Sequence, residues 1–262
     1  MITNENQNKK NKNYFLTHKS LDVMVFIPPV LGLLGIISML IISNLLKNKV
    51  NLIQSFTAYH TLNIVFTKQV YVFIISLLVL TVMYFYNPRN FKQFFKFGDL
   101  LASTEPLKIL GIRETDSWKK IGPVIAFLLT GGTGIFMTFG VLEMNGVMNK
   151  TVIQLFPLAF IFSTTNAWSE EIFARFTVIA GLNGKVRPVA KYWISAIIFA
   201  VPHYFGTPGG PLGVLMAGFL GWLLAKSVHE TKGMFWAWFI HFLQDMVIFT
   251  ANLMILAGHL GS

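Results

Sequence analysis

The 262-residue chain contains no cysteine, so disulfides and thiolate metal sites cannot contribute to its structure or chemistry. It also lacks a His-Glu-x-x-His run, which would place two zinc-binding histidines and a general base on one helix. Charged residues make up only 12% of the sequence, against about 25% in a typical soluble domain. Hydrophobic residues make up 54%. This imbalance is typical of a polytopic membrane protein.

Long apolar stretches predict an all-α fold, a polytopic transmembrane helical bundle of about seven spans. The first stretch is 24 residues long and uncharged, too long for a signal-peptide core and long enough to cross about 30 Å of hydrocarbon. We expect the fourth, which is long, to be broken or partly submerged, and the fifth and sixth are short for a full crossing. The predicted spans are 23–46, 70–86, 121–142, 152–182, 192–204, 212–225 and 234–259.

The basic residues follow the positive-inside rule. With the N-terminus in the cytoplasm, sixteen of the 21 lysines and arginines fall in predicted inside segments and four in outside segments, while Arg175 lies within a span. The net charge of +10 therefore reflects topology, and we expect the lipid bilayer rather than nucleic acid as a partner. The Asn- and Lys-rich composition is typical of a low-GC bacterium, so we expect a multi-pass protein of the cell membrane.

The chain divides into three predicted regions. Residues 1–22 form a disordered basic tail. Residues 23–120 comprise a transmembrane pair without intramembrane ionisable residues, followed by a loop whose segment 90–96 alternates aromatic and basic residues. That segment is typical of either an interfacial helix or an ordinary loop on the headgroups. Residues 121–262 form one membrane core, in which the glycine-rich run 131–134 predicts close helix packing within the fold or between chains, and we favour packing within one chain.

Intramembrane ionisable residues are confined to three short clusters of this core. An ionisable side chain at bilayer depth costs at least a few kcal/mol, so each one is a hypothesis of function. Two glutamates, two histidines, an aspartate and an arginine are the side chains needed to activate a water molecule. The clusters are Glu170 and Glu171 with Arg175, Phe199 with His203, and His241 with Asp245.

The adjacent glutamates point about 100° apart on a helix. Glu171 and Arg175 are four residues apart and share a face, so an internal pair would keep Glu171 ionised. Glu170 is then free to face a cavity and act as a base. The alternative is a helix end at the membrane surface, with both glutamates in water.

The histidines also allow two interpretations. Asp245 could orient His241 through a hydrogen bond, or the two could bind one water or one metal; the structural alternative is a polar contact between helices. His203 ends a span before a glycine-rich turn, where an isolated histidine is more often interfacial, and Phe199 is expected to pack against core or lipid. Taken together, the clusters offer the base and the oxyanion donors that hydrolysis requires.

The ordered set Glu-Glu-x-x-x-Arg, Phe-x-x-x-His and His-x-x-x-Asn/Asp resembles the CPBP family of intramembrane proteases. That family includes CAAX prenyl endopeptidases and bacteriocin-processing or immunity-associated proteins. The resemblance covers about 152–245 and makes 121–262 the CPBP-like catalytic core. It implies that Glu170 activates water, while His203, His241 and Asp245 hold that water or stabilise the oxyanion.

The resemblance further implies that Glu171 and Arg175 are a supporting pair. Asp245 stands where eukaryotic prenyl-protein members have Asn, and an extra carboxylate could favour metal binding. The family is often labelled a metalloprotease group, and two histidines with one or two carboxylates suit zinc. A glutamate base needs no metal, however, and we favour a mechanism that requires no cofactor.

The leading hypothesis is a CPBP-type intramembrane endopeptidase acting on a small membrane-associated peptide or protein. A prenylated CAAX substrate is less expected in a low-GC bacterium. One alternative is a non-catalytic bacteriocin self-immunity or binding membrane protein. Another is an ion- or proton-coupled transporter in which the buried groups form a relay, although the spans show no inverted repeat.

Overall fold

The computed structural model describes residues 23–48, 56–206 and 208–261. The predicted disordered tail, 1–22, lies outside the described residues. Apart from two isolated β-bridges, Ser103 with Ser117 and Leu107 with Ile112, the described residues form helices joined by loops. The all-α prediction is therefore confirmed.

The described residues contain long helices at each of the seven predicted positions, together with shorter helical segments. Two of the long segments are composite. The fourth continues from α5 through a π-helical turn into α6, and the fifth continues from α7 into a 3₁₀ turn. The helices are α1 Ile27–Lys47, α2 His60–Tyr86, α3 Pro88–Phe94, α4 Trp118–Glu143, α5 Lys150–Glu171, the π-turn Ile172–Phe176, α6 Thr177–Gly181, α7 Pro188–Ala200, the 3₁₀ turn Val201–Phe205, α8 Gly210–Thr231 and α9 Phe235–Gly261.

Local sequence explains several helix starts. Proline occupies the first turn of α1, α3, α7 and α8, where its missing N–H leaves no helical hydrogen bond unmade. Asn149 caps α5, because its side-chain oxygen accepts from the backbone N–H groups of Thr151 (3.0 Å) and Val152 (3.3 Å). These signals fix where the chain turns back into the bundle.

Five helices, α1, α2, α4, α8 and α9, are long and apolar enough to cross a membrane. Two other segments fall outside that group for different reasons. The inner face of α5 carries Ser163, Asn166, Ser169 and Glu171, all buried, which lowers its hydropathy; α7 has only 13 residues. A multi-pass membrane protein is therefore supported, while the number of seven spans and the orientation stay predictions.

The structure corrects one helix boundary and one expected break. α2 begins at His60, well before the predicted 70, so Lys68 and Gln69 lie within the helix rather than outside it. Sequence reasoning ended the span at these polar residues, but Gln69 is buried among helices. The fourth span is not broken, because the helix continues through the π-turn Ile172–Phe176, and π-turns within helices are frequent at functional sites.

The N-terminal pair packs against this π-turn. α1 contacts α2, α7 and the π-turn, while α9 packs against α5 and α4. Gly32 and Gly35 of α1 lie directly on Phe173: a Cβ added at Gly32 would collide with the Phe173 carbonyl oxygen, and one at Gly35 with its ring. Two small residues therefore let α1 approach the segment that follows Glu171.

The prediction of close packing within one chain at 131–134 is wrong for its first two glycines, whereas packing between chains stays a prediction. A Cβ added at Gly131 or Gly132 would meet nothing within 4 Å, and one at Gly134 would meet only Val247, at 4.0 Å. Thr133 contacts α9 here, because its hydroxyl donates to Gln244 Oε1 (3.2 Å). The glycines leave space beside α4 instead of drawing a neighbour in.

The loop 95–117 is attached to the end of α8. Glu230 accepts from the Trp118 indole N–H (2.8 Å) and from the backbone N–H of Glu105 (3.0 Å), and it pairs with Lys226. Near α4, a hydrogen bond from Lys120 and a second from the backbone N–H of Arg113 lower the pKa of Asp116 below its ordinary value. These contacts hold the loop against the helical core.

The aromatic and basic segment 90–96 is largely helical, because α3 covers Pro88–Phe94. Its inner side packs on the core: Phe94 is buried, and the Asn90 side chain donates to the Ala180 carbonyl oxygen (2.9 Å). The interfacial helix is therefore the better of the two interpretations, and its contact with lipid stays a prediction.

Candidate active site

Glu171 is a buried carboxylate that contacts two other residues of the site. Its carboxylate oxygen Oε1 accepts from His241 Nδ1 at 2.8 Å and lies 3.3 Å from Arg175 Nη1. The Glu171 side chain is 1% exposed and that of Arg175 is fully buried. The predicted pair of Glu171 and Arg175 is thus present, and Glu171 additionally sets the orientation of His241.

Arg175 lies in the π-turn, where its side chain contacts Glu171 and Phe199. Its guanidinium carbon is 3.7 Å from the centre of the Phe199 ring, a cation–π distance. Within the described residues, none of its three guanidinium nitrogens has a hydrogen-bond partner. Glu171 therefore supplies the negative charge that compensates Arg175, and the Phe199 ring covers one face of the guanidinium group. Phe199 is 1% exposed, so the core-packing interpretation applies to it.

The second ring nitrogen of His241 faces two further carboxylates. Nε2 lies 3.6 Å from Glu170 Oε2 and 3.7 Å from Asp245 Oδ2. These distances exceed a direct hydrogen bond. The idea that Asp245 orients the imidazole is therefore wrong for this structure, because Asp245 lies beside Nε2 while Nδ1 turns from α9 toward Glu171 on α5.

Asn166 connects the two carboxylates, and sequence reasoning missed it. Its side-chain nitrogen donates to Glu170 Oε1 (3.0 Å) and to Asp245 Oδ2 (3.1 Å). Its side-chain oxygen accepts from Gln69 Nε2 on α2 (3.3 Å). A signal for Asn166 was available, since it precedes Glu170 by four residues on the same helix face. Gln69 had no comparable signal, because it lies on a different helix.

His203 occupies the 3₁₀ turn at the end of α7. Its Nδ1 donates to the Phe199 carbonyl oxygen (2.7 Å), which leaves Nε2 as the acceptor of the neutral ring. The ring packs against Phe199 in a tilted arrangement, with the two ring centres 4.5 Å apart. This hydrogen bond holds the His203 ring in one orientation within the turn.

Four of the predicted site residues line one cavity of about 290 Å³, together with Asn166. These four are Glu170, His203, His241 and Asp245, and apolar side chains and Gly132 from α4 and α8 complete the walls. Asp245 lies about 15 Å along α9 from its first residue. The polar groups therefore meet well inside the helical bundle.

The alternative of a water-exposed helix end does not describe the two glutamates. Glu171 is almost wholly enclosed, and the Glu170 side chain is only 14% exposed. Glu170 faces the cavity, whereas Glu171 and Arg175 lie behind it, as the 100° separation predicts. The structure thus divides the six residues into four that line the cavity and two that support them.

A second, larger cavity of about 490 Å³ lies on the other side of α5. Its walls are mostly aromatic and include Trp168, Phe235 and Trp238, with Lys96 and Glu171 also lining it. Glu170, His203 and Asp245 do not line it. We therefore place the candidate chemistry in the smaller cavity, where the ionisable groups converge.

The described residues contain no group of three or more His, Asp or Glu side chains arranged to hold a metal ion. His241 Nδ1 is bonded to Glu171, while Nε2 has two carboxylate oxygens 3.6 and 3.7 Å away. The expectation of a mechanism without a metal stays a prediction.

Comparison with known families identifies the region that carries this geometry. Residues 152–247 match the family described as type II CAAX prenyl endopeptidase Rce1-like. This match supports the CPBP/CAAX intramembrane protease family for this region of the chain. The CAAX protease match contains all six predicted site residues and Asn166, but neither Gln69 nor α4. No curated protein and no solved structure matches the chain.

The match to the CAAX protease family supports protease activity at a coarse level. It also supports a multi-pass membrane location. It does not by itself assign roles to Glu170, His203, His241 or Asp245. Those roles depend on the chemistry that their arrangement allows.

Proposed function

We propose that the chain is an intramembrane endopeptidase in which Glu170 activates the water that attacks a substrate peptide bond. The observation that carries the proposal is the convergence of Glu170, His203, His241 and Asp245 on one cavity inside the bundle. The family match supports the protease class. The proposal adds the residue roles and the kind of substrate.

Glu170 has the position expected of a general base. It faces the cavity, and one of its oxygens, Oε1, is held by Asn166. In the proposed reaction Glu170 removes a proton from water while the water oxygen bonds to the carbonyl carbon. The resulting tetrahedral intermediate carries its negative charge on the former carbonyl oxygen. Cleavage of the C–N bond follows, and the proton on Glu170 passes to the departing amine nitrogen.

His203 and His241 are proposed to complete this chemistry. Neutral His203 can accept a hydrogen bond from water at Nε2, because Nδ1 is occupied by the Phe199 carbonyl. Protonated His203 could donate from the same atom to the oxyanion. His241 and Asp245 flank Glu170 and are proposed to position the water. No step in this proposal uses a metal.

The proposed substrate is a small membrane-associated peptide or protein. Apolar side chains of α4 and α8, among them Leu128, Phe136, Met216 and Phe219, line the cavity around the polar groups. Such walls suit an apolar segment with its backbone near the polar groups. A prenylated CAAX peptide, the substrate named in the family description, is a second candidate for the same cavity.

Cleavage by the purified protein in lipid nanodiscs tests the proposal. Membrane-embedded peptides with and without a prenylated CAAX terminus would be incubated with the wild type and with Glu170→Gln, and the products identified by mass spectrometry. We expect the wild type to cleave and Glu170→Gln to lose about 10²-fold or more of the rate, because a positioned general base contributes at least that much.

Glu143→Gln is the matched control, since Glu143 is an exposed glutamate at the end of α4, outside the cavity. It should retain the wild-type rate. Equal cleavage by the wild type and Glu170→Gln would remove Glu170 from the mechanism. Cleavage of the prenylated peptide alone would replace the proposed substrate class.

A further inference from the structure

We infer that Asn166 and Gln69 are positioning residues: Asn166 sets the spacing between Glu170 and Asp245, and Gln69 keeps the Asn166 amide turned toward them. The inference rests on the proposed function, because it concerns the same cavity. Its structural basis is the donation from one side-chain nitrogen to both carboxylates, at 3.0 and 3.1 Å.

A single carboxamide has two N–H donors in a fixed plane. In Asn166 each carboxylate takes one of them, so the relative position of Glu170 and Asp245 depends on the Asn166 side chain. The two carboxylates lie on different helices, α5 and α9, and their charges repel. Asn166 therefore bridges two groups that would otherwise separate or share a proton.

The chemistry of the network dictates which way the amide points. An ionised carboxylate accepts hydrogen bonds and cannot donate them. The nitrogen of Asn166 must then face Glu170 and Asp245, and its oxygen must face away. That oxygen meets Gln69 Nε2 at 3.3 Å, which donates to it. A flipped Asn166 would set oxygen against oxygen at both carboxylates and nitrogen against nitrogen at Gln69.

Gln69 is held in turn from α5. Its Oε1 lies 3.0 Å from the hydroxyl oxygen of Thr165, which can donate to it. Gln69 is 4% exposed and Asn166 is 8% exposed, so neither amide can exchange its partners for bulk water. A buried amide without partners would cost free energy, which favours the single fully bonded arrangement.

This network gives α2 a role in the site. The family match covers 152–247, so α2, which carries Gln69, lies outside it. The matched region thus receives one of its constraints from the N-terminal helix pair. We expect substitution of Gln69 to alter turnover although Gln69 does not line the cavity.

Steady-state cleavage by Asn166→Leu, Asn166→Asp and Gln69→Leu tests the inference. The two Asn166 variants should lose about 10- to 100-fold in kcat, the effect of removing a hydrogen bond to a charged group, with little change in KM. Gln69→Leu removes only a bond between neutral amides, so it should lose less. Asn166→Asp is decisive, because it is nearly isosteric and can still accept from Gln69 but cannot donate to the carboxylates. Gln69→Asn, which keeps a carboxamide, should recover part of the loss.

A merely structural contact between α2 and α5 predicts the opposite pattern. Asn166→Asp would then retain turnover, and wild-type kcat in that variant overturns the inference. Thr81→Val is the control on α2, since the Thr81 hydroxyl donates to the Leu77 carbonyl of its own helix. It should cleave like the wild type.

A thermal-unfolding cycle separates this inference from the proposed function. Gln69→Leu and Asn166→Leu should be non-additive in unfolding temperature, because the first removal already breaks the chain of amides. If the wild type cleaves no better than Glu170→Gln, the proposed function fails, but the unfolding-temperature cycle still tests the coupling between Gln69 and Asn166. Additive effects of the two substitutions overturn that coupling, and non-additive effects support it.

Discussion

Among single residues, Glu170 and Glu171 are adjacent in sequence but differ in their surroundings. Glu171 is enclosed between Arg175 and His241, whereas Glu170 faces the cavity. The separation of the two side chains and the pairing of Glu171 with Arg175 follow from helical spacing. The bond to His241 does not, because it joins residues 70 positions apart and depends on how α5 packs against α9.

These surroundings predict different effects on stability and activity when glutamate is replaced by glutamine at the two positions. Glu171→Gln removes the charge that compensates Arg175, whose side chain is 0% exposed. Breaking a buried ion pair by neutralising one partner costs about 3 kcal/mol or more, so we expect a markedly lower unfolding temperature. Glu170→Gln should keep most of the wild-type stability while losing activity. Thermal unfolding of the purified variants in detergent measures the difference.

Arg175→Leu combined with Glu171→Gln provides the control for this explanation. If the uncompensated charge of Arg175 causes the instability, removing that charge as well should recover part of the lost stability. A double variant less stable than Glu171→Gln would instead indicate that the guanidinium packing on Phe199, at 3.7 Å, is the larger contribution.

For whole helices, the sequence predicts existence and type better than boundaries. The apolar runs predicted every long helix, and the structure places proline or asparagine at the start of several of them. α2 was predicted too short because Lys68 and Gln69 resemble the end of a span. Gln69 belongs inside the helix because a partner on α5, Asn166, satisfies its side chain. Hydropathy records the polarity of a residue but not its partner.

The contact of α1 with the π-turn gives a prediction about stability. Gly32→Ala places a methyl group against the Phe173 carbonyl oxygen and the Thr177 hydroxyl. Overpacking of this kind costs about 1–3 kcal/mol, so the unfolding temperature should fall. Because the π-turn carries Arg175, we also expect lower turnover at temperatures where the variant remains folded. Thermal unfolding and peptide cleavage check the two effects.

Gly140→Ala is the matched control, because a Cβ at Gly140 in α4 would meet nothing within 4 Å. Alanine is favoured over glycine within a helix by about 0.4–1 kcal/mol, so this variant should unfold at the same or a higher temperature. A similar loss of stability in both variants would mean that close approach to Phe173 is not the cause at Gly32.

At the scale of the whole molecule, the site depends on packing that the sequence does not reveal. Spacing placed Glu170, His241 and Asp245 on helix faces, and their rarity in an apolar region marked them as candidates. Their convergence requires α5, α7 and α9 to meet, and the tie from Gln69 requires α2 as well. Periodicity describes one helix at a time, so Gln69 could not be predicted, whereas the four cavity-lining candidates could.

The absence of cysteine makes the predicted topology directly testable, because a single introduced cysteine is then the only thiol in the chain. Ile109→Cys lies in the loop 95–117 and Met148→Cys between α4 and α5, and both native side chains are exposed. With the N-terminus inside, a membrane-impermeant maleimide added to intact cells should label Met148→Cys and not Ile109→Cys. The reverse pattern would invert the orientation.

Lys185→Cys, between α6 and α7, then decides the number of crossings. Seven spans place it inside and protected, whereas labelling from outside would mean that the segment from α5 to α7 enters and leaves on one side, with the site reached from that side.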